Sequence, residues 1–265
     1  VSTNAKTGVW LPAFSLWWRE MKRFYRQRAR VAGVILSPLI FWMLLGAGFG
    51  TSFHSGNTQQ TYTQYFFPGA LIMIVLFTSI FTMMSVIEDR QAGFLLSVMV
   101  APIHRSAVVL GKVLGGTSLA ALQGLVFLIF APFVGIRFGL LDFAWIVLIV
   151  FLVSFALTAL GFAVAWSLDS ASAFHAIVNL FLIPLWLLSG ALFPVSSASG
   201  WIRVLMRANP LTYGVESLRM VLFPASRDNA FMSIPGQVGV LAIFCAAVFT
   251  ISYVIANRRT TMPAA

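Results

Sequence analysis

Apolar residues run along this chain in blocks of about twenty, separated by short polar punctuation, and that pattern predicts membrane-spanning helices. Six blocks can be drawn, at about residues 31–50, 65–87, 108–136, 143–168, 176–192 and 235–256. The first contains Pro38, and the third begins with Gly111, Gly115 and Gly116, small residues that let helices approach closely. The fourth holds no ionisable residue. The fifth belongs to a charge-free stretch that runs from Ala176 to Arg203, too long for one simple span. Pro184, Gly190, Pro194 and the run SSASG at 196–200 break it, so one span to about Leu192 and then a re-entrant or interfacial segment to about Pro224 are expected. Within that segment Arg203 and Arg207 stand four apart and Glu216 and Arg219 three apart, each pair able to share a helix face.

Two polar regions stand out against this background. The segment 1–30 carries Lys6, Arg19, Lys22, Arg23, Arg26, Arg28 and Arg30 against the single acid Glu20. Its Trp10, Phe14, Trp17, Trp18, Met21 and Tyr25 recur at helical spacing, which predicts an amphipathic helix in the membrane interface, aromatic face to lipid and basic face to cytoplasm. The second region is the island EDRQAGFLLSVMVAPIHRSAVVLGK, residues 88–112. Its charges are costly in hydrocarbon, and its apolar centre at 94–100 is too short to cross. A short amphipathic helix ended by Pro102 fits, either as a plug for a soluble partner or as an ordinary interfacial loop.

With 60% hydrophobic and 9% charged residues, the chain is an integral membrane protein rather than a soluble one. The net charge of +10 sits at membrane-flanking positions, not among stacking aromatics, so it reports topology and not nucleic-acid binding. Lys and Arg at the N-terminus, in the island and in the tail place both termini in the cytoplasm, against the counter-signal of Arg137, Arg203, Arg207, Arg219 and Arg227. The organisation expected is one domain over 1–265: an interface helix (1–30), a six-span core (31–256) and a short tail (257–265).

Chemistry of its own is scarce. There is no GxxxxGK[ST] and no GxSxG, and His54, His104 and His175 stand alone, so catalytic, metal and cofactor sites are not expected. The spans lack the intramembrane acids of an ion-coupled carrier and the charge rings of a channel. Arg203, Arg207, Glu216 and Arg219 are the only polar cluster a lipid-acting enzyme or assembly factor could use. Gln123, Ser154, Thr158, Asn179 and Ser189 either bond neighbouring helices or face a substrate, and Met73, Phe77, Phe81, Met83 and Met84 either pack or line a lateral cavity.

The island resembles the segment after the second span of type-2 ABC transporter permeases, where a DRE-x-G-T-x-E-x-L-L-x-x-P-I-x-R-like run forms a coupling helix. The run LLSGALFPVSSASGWIRVLMRANPLTYGVESLR, residues 187–219, is similar to that family's second hallmark. Pro184, Leu188, Ser189, Gly190, Phe193 and Pro194 match its P-x-x-x-L-S-G-x-x-F-P part, and Asn209, Pro210, Leu211, Thr212, Tyr213, Leu218 and Arg219 its NPLTY and closing LR. Gln91, Phe94 and Leu96 depart from the pattern and make the coupling helix more apolar.

The resemblance implies a fold of N-terminal interface helix, six transmembrane helices, a coupling helix between spans 2 and 3, and an external re-entrant helical segment between spans 5 and 6. It implies ATPase coupling through Glu88, Asp89, Arg90, Phe94, Leu95, Val98, Met99, Pro102 and Arg105, and an external gate at Asn209, Pro210, Tyr213, Glu216 and Arg219. It further implies two ABC ATPase subunits that hold ATP and Mg, a second permease copy, and export of a lipid-linked, glycan or amphiphilic drug-like substrate.

Overall fold

A computed structural model describes residues 8–49, 60–101 and 103–258, apart from the side chains at 28–31, 34, 99 and 228–229. Every regular element among them is helical. In chain order these are α1 (Trp10–Arg26), α2 (Arg28–Phe49), α3 (Tyr62–Thr82), α4 (Met84–Gln91), α5 (Phe94–Val100) and α6 (Arg105–Phe127). They are followed by α7 (Leu140–Ser167), α8 (Ala171–Trp186), α9 (Gly200–Ala208), α10 (Pro210–Leu222) and α11 (Ile234–Arg258). Five helical stretches are long and apolar enough to cross a membrane, and Ile35–Phe49 of α2 forms a shorter apolar one. The chain is a polytopic membrane protein.

The buried centre is α3, which packs against α2, α6, α7 and α10. Of its apolar stretch 83% is buried, against 22% for α8 and for α11, which leave broad apolar faces outward. Thr61 starts α3 with a reciprocal cap to Gln64, the polar signature that ends the connector before the apolar run begins. Where 65–87 is the expected second span, the helix continues through α4 to Gln91 and carries Glu88, Asp89 and Arg90. Those charges stay helical because each has an internal partner, as described below.

The bundle has two distinct ends. Arg90 touches the C-terminus of α7 and Arg105 the C-terminus of α11, so α4, α5, the start of α6 and the ends of α7 and α11 share one end. The starts of α3, α7 and α11, with α9 and α10, therefore lie at the other. The expected re-entrant segment takes the form of two helices, α9 and α10, and α10 packs against α3, α7 and α11.

α8 explains what α10 is for. Pro184 and a π-turn at Leu187–Ala191, with Gly190 at φ 77°, break the helix and free its carbonyls. α10 satisfies them: Asn209 Nδ2 donates to Leu185 O (2.6 Å), Thr212 Oγ1 to Leu188 O (3.3 Å) and Arg219 Nη2 to Gly190 O (2.9 Å). A broken helix is tolerated at membrane depth when neighbours re-satisfy its backbone.

Candidate coupling site

At the α5 end, six charged side chains from three helices meet. Arg19 and Arg23 of α1 and Lys112 of α6 face Glu20, Glu88 and Asp89, three cations against three carboxylates. Asp89 is only 2% exposed and its acceptor sites are filled. Oδ1 accepts from Arg19 Nη2 (2.7 Å) and Arg23 Nη1 (2.8 Å), and Oδ2 from Arg19 Nη1 (2.8 Å) and Lys112. Lys112, 1% exposed, donates to Glu20 Oε1 (2.6 Å), Ser85 Oγ (3.1 Å) and Asp89, which uses all three of its N–H groups. Complete pairing is what makes ionised groups tolerable at such burial.

The sequence prepares this geometry. α1 lies along α6 because Gly111 and Gly115 leave no side chain in the way. A Cβ on Gly111 would sit 2.7 Å from Ala13 O, and one on Gly115 3.0 Å from Glu20 Cβ. Trp17 Nε1 adds a bond to Ser118 Oγ (3.0 Å). Of the expected aromatic face, Trp10, Phe14 and Trp18 are exposed, while Trp17 packs toward α6. Arg19 and Arg23 differ from the expectation of a basic face turned to the cytoplasm: they point inward, onto acids.

The remaining charges of the island are helix caps. Arg90 donates to Trp166 O (2.8 Å) and Leu168 O (2.9 Å) at the end of α7 and pairs with Asp169 (2.7 Å). Arg105 donates to Asn257 O (3.1 Å) and Ala256 O (3.4 Å) at the end of α11. Both sit on carbonyls at the C-terminal ends of their helices, where the helical ladder of hydrogen bonds runs out. Glu88, Asp89, Arg90 and Arg105 thus bind the bundle together around α5.

α5 itself follows a reversal at Gly93, whose φ of 72° favours glycine. Leu95 is buried, and Phe94 and Val98 pack on the core, with the Arg19 guanidinium 3.7 Å over the Phe94 ring. Leu96, Ser97 and Val100 face outward, Val100 at 86% exposure. The Met99 side chain and Pro102 lie outside the described residues, so the expected role of Pro102 in ending the helix does too.

The second predicted cluster sits at the far end. Asn209 caps α10 by accepting from Leu211 N (3.0 Å), Pro210 occupies its first turn, and Tyr213 Oη donates to Arg207 O (2.8 Å). Glu216 and Arg219 share α10, but Arg219 turns away from its neighbour, donating to Gly190 O and covering the Tyr65 ring at 4.1 Å. Burial pushes the Glu216 carboxyl from 4.5 up to about 7, against the opposing pull of Arg219, the backbone of Phe231 and Arg207. The native state therefore holds a proton that the unfolded chain releases, so stability falls as pH rises from 4.5 through about 7. The purified chain should melt at a higher temperature at about pH 5.5 than at about pH 8, and Glu216→Gln should flatten that slope. An unchanged slope in the variant would remove Glu216 as its source.

An apolar cavity of about 440 Å³ opens between α2, α3, α4 and α8, lined by Pro38, Phe77, Phe81, Met84 and His175. Phe77 and Phe81 stack at 5.6 Å, and His175 lies 5.4 Å from Phe81. Of the polar span residues, Gln123 accepts from Thr78, Ser154 O from Ser79 Oγ (3.3 Å), and Thr158 and Ser189 bond their own helices. Asn179 is exposed on α8.

The residues absent from the predicted site are Arg19, Glu20, Arg23 and Lys112. Two signals pointed to them: Glu20 is the lone acid of a basic segment, and Lys112 lies within an apolar, glycine-lined helix start.

Residues 13–223 match the family model described as ABC-2 type transporter. The chain is 29% identical over 192 residues to a putative transport permease, ycf38, of Cyanophora paradoxa, covering 71% of this chain and 66% of that one. It is 27% identical over 215 residues to the daunorubicin resistance ABC transporter permease protein DrrB1 of Streptomyces coeruleorubidus (77% and 72% covered). Nodulation protein J of Rhizobium leguminosarum bv. trifolii aligns at 24% identity over 97% of both chains.

Proposed function

The chain belongs to the ABC-2 type transporter family, and on that premise we propose that it is the permease subunit of an ATP-driven exporter of an amphiphilic substrate. ATP and Mg are held by a separate ATPase subunit, two copies per assembly, which docks on α5. The observation that carries this reading is the elbow at Gly93. α5 is a short helix with exposed apolar residues, clamped at its root by the ion cluster and by caps on α7 and α11. A push on α5 is passed to α1 through the Arg19 contact on Phe94, to the core through Leu95, and along the chain to α4 and α6, which the charged contacts tie to α1, α7 and α11. The α5 end is then cytoplasmic, in keeping with the basic N-terminal segment and with Arg258 at the end of α11.

A second permease copy covers the outward faces of α2 and α8. α8 exposes Leu180, Phe181 and Asn179, and α2 exposes Ile40, Met43 and Leu44. An exposed asparagine within an apolar span finds a hydrogen-bond partner on another helix. The substrate enters by the cavity over Phe77 and Phe81, whose stacked rings and apolar walls suit a planar amphiphile better than a glycan. The daunorubicin-resistance name of the Streptomyces relative leans the same way.

The test is to purify the chain with its ATPase and reconstitute the complex in liposomes. Planar amphiphiles should stimulate ATP hydrolysis. Phe81→Ala should raise the half-maximal concentration roughly three- to tenfold, the weight of one lost aromatic stack, and leave basal hydrolysis intact. Failure to recover any ATPase would favour a self-contained channel, carrier or lipid-acting factor. Stimulation by glycans alone would overturn the substrate class.

A further inference from the structure

At the end of the bundle remote from α5, a cavity of about 670 Å³ lies between the starts of α7 and α11 and the segment that leads out of α10. Its walls include Asp142, Trp145, Met220, Arg227 and Met232. Both spans begin there, so the cavity sits at headgroup depth, and its rim is apolar: Leu140 and Leu141 are 86% and 81% exposed. Trp145, one turn further into α7, stands where interfacial aromatics collect.

The polar floor is a separated ion pair. Arg227 is fixed by donation from Nε to Met220 O (3.0 Å), and its Nη2 reaches only to 3.9 Å from Asp142 Oδ1. Asp142 Oδ2 is engaged by Gly139 N (3.0 Å), where it caps α7. Thus the outer nitrogens of Arg227 and Oδ1 of Asp142 are presented side by side, too far apart to satisfy each other. A guanidinium suits a phosphate, and a carboxylate beside it suits an ammonium that can donate hydrogen bonds. The carboxylate disfavours a purely anionic headgroup, and a trimethylated ammonium has no proton to give Oδ1.

We propose that this cavity binds the zwitterionic headgroup of a phosphatidylethanolamine-type lipid, phosphate on Arg227 and ammonium on Asp142, with its chains over Leu140 and Leu141. The site is independent of the substrate route at Phe77 and Phe81 and does not rest on the exporter reading.

The experiment uses the full chain in nanodiscs of mixed phosphatidylethanolamine, phosphatidylcholine and phosphatidylglycerol, with retained lipid counted by native mass spectrometry. The wild-type chain should retain the ethanolamine lipid preferentially. Arg227→Gln should lower that retention about tenfold, the weight of a lost charge-assisted contact, at unchanged melting temperature. Asp142→Asn, which keeps a helix-capping side chain, should abolish the preference over phosphatidylglycerol without abolishing lipid retention. Equal retention of the three lipids by the wild-type chain, a preference for phosphatidylcholine, or full retention by Arg227→Gln would each overturn the proposal. Competition by soluble glycerophosphoethanolamine as effective as the lipid itself would overturn the assignment to a lipid.

Discussion

Lys112→Met should cost the folded chain about 3–5 kcal/mol, because it leaves two buried carboxylates without their shared cation. Lys112 is 1% exposed and bonds Glu20, Ser85 and Asp89, so no water replaces the ammonium. Methionine fills the stem of the lysine but offers nothing to Glu20 and Asp89. Asp89→Asn should be at least as damaging: it keeps the shape but turns an amide N–H₂ toward Arg19, Arg23 and Lys112, which are all donors. The double variant Lys112→Met with Glu20→Gln restores the balance of two cations and two carboxylates. It should regain more than about 1 kcal/mol of the single variant's loss, the coupling expected of residues in one network. Thermal unfolding followed by fluorescence-detected size exclusion reads all four proteins. A Lys112→Met chain as stable as the wild type would show that the cluster does not hold α1 and α4 to α6.

The second large effect separates neighbours on α5. Leu96→Asp and Val100→Asp should leave the permease folded, since both side chains face outward, and weaken binding of the ATPase more than about 100-fold by burying an unpaired carboxylate in its groove. Leu95→Asp should do the reverse. At 2% exposure Leu95 belongs to the permease core, so a carboxylate there should lower folded yield before docking is ever tested. Copurification of the ATPase, set beside the melting temperature of each permease variant, resolves the two. Retention of the ATPase by both Leu96→Asp and Val100→Asp would remove α5 as the docking element. Phe94 and Val98, which pack on the core, should fall between these extremes.

Much of the architecture was legible because hydrocarbon is an exacting solvent. A block of twenty apolar residues has few alternatives to a spanning helix, and a charged island has few places to go. Five of the six expected spans, the amphipathic α1, the short α5 and the break after α8 all follow from that single constraint, while the first expected span is represented by the shorter apolar stretch Ile35–Phe49. Their borders shifted where charges found partners. α4 extends to Gln91 because Asp89 is neutralised by α1 and α6, a pairing between residues 70 and 23 positions apart in the chain.

The roles of individual residues divide in the same way. Composition and spacing alone determined that this is a polytopic membrane protein with a basic amphipathic N-terminal helix, a short apolar helix between two spans and no nucleotide-binding signature in its sequence. They also marked Arg219, Asp89 and Arg90 as polar residues in need of an explanation, and the family resemblance added Asn209. Tertiary structure decided what each does: Asn209 and Arg219 satisfy the carbonyls of a broken α8, Arg90 and Arg105 cap α7 and α11, and Asp89 anchors α1. It also decided which side of α5 is free, turning Leu95 inward and Leu96 outward. Hydrophobic patterning is a one-dimensional property because every apolar residue prefers burial whatever its neighbour. An ion pair or a helix cap depends on which distant group stands within about 3 Å, and only the packed chain supplies that distance.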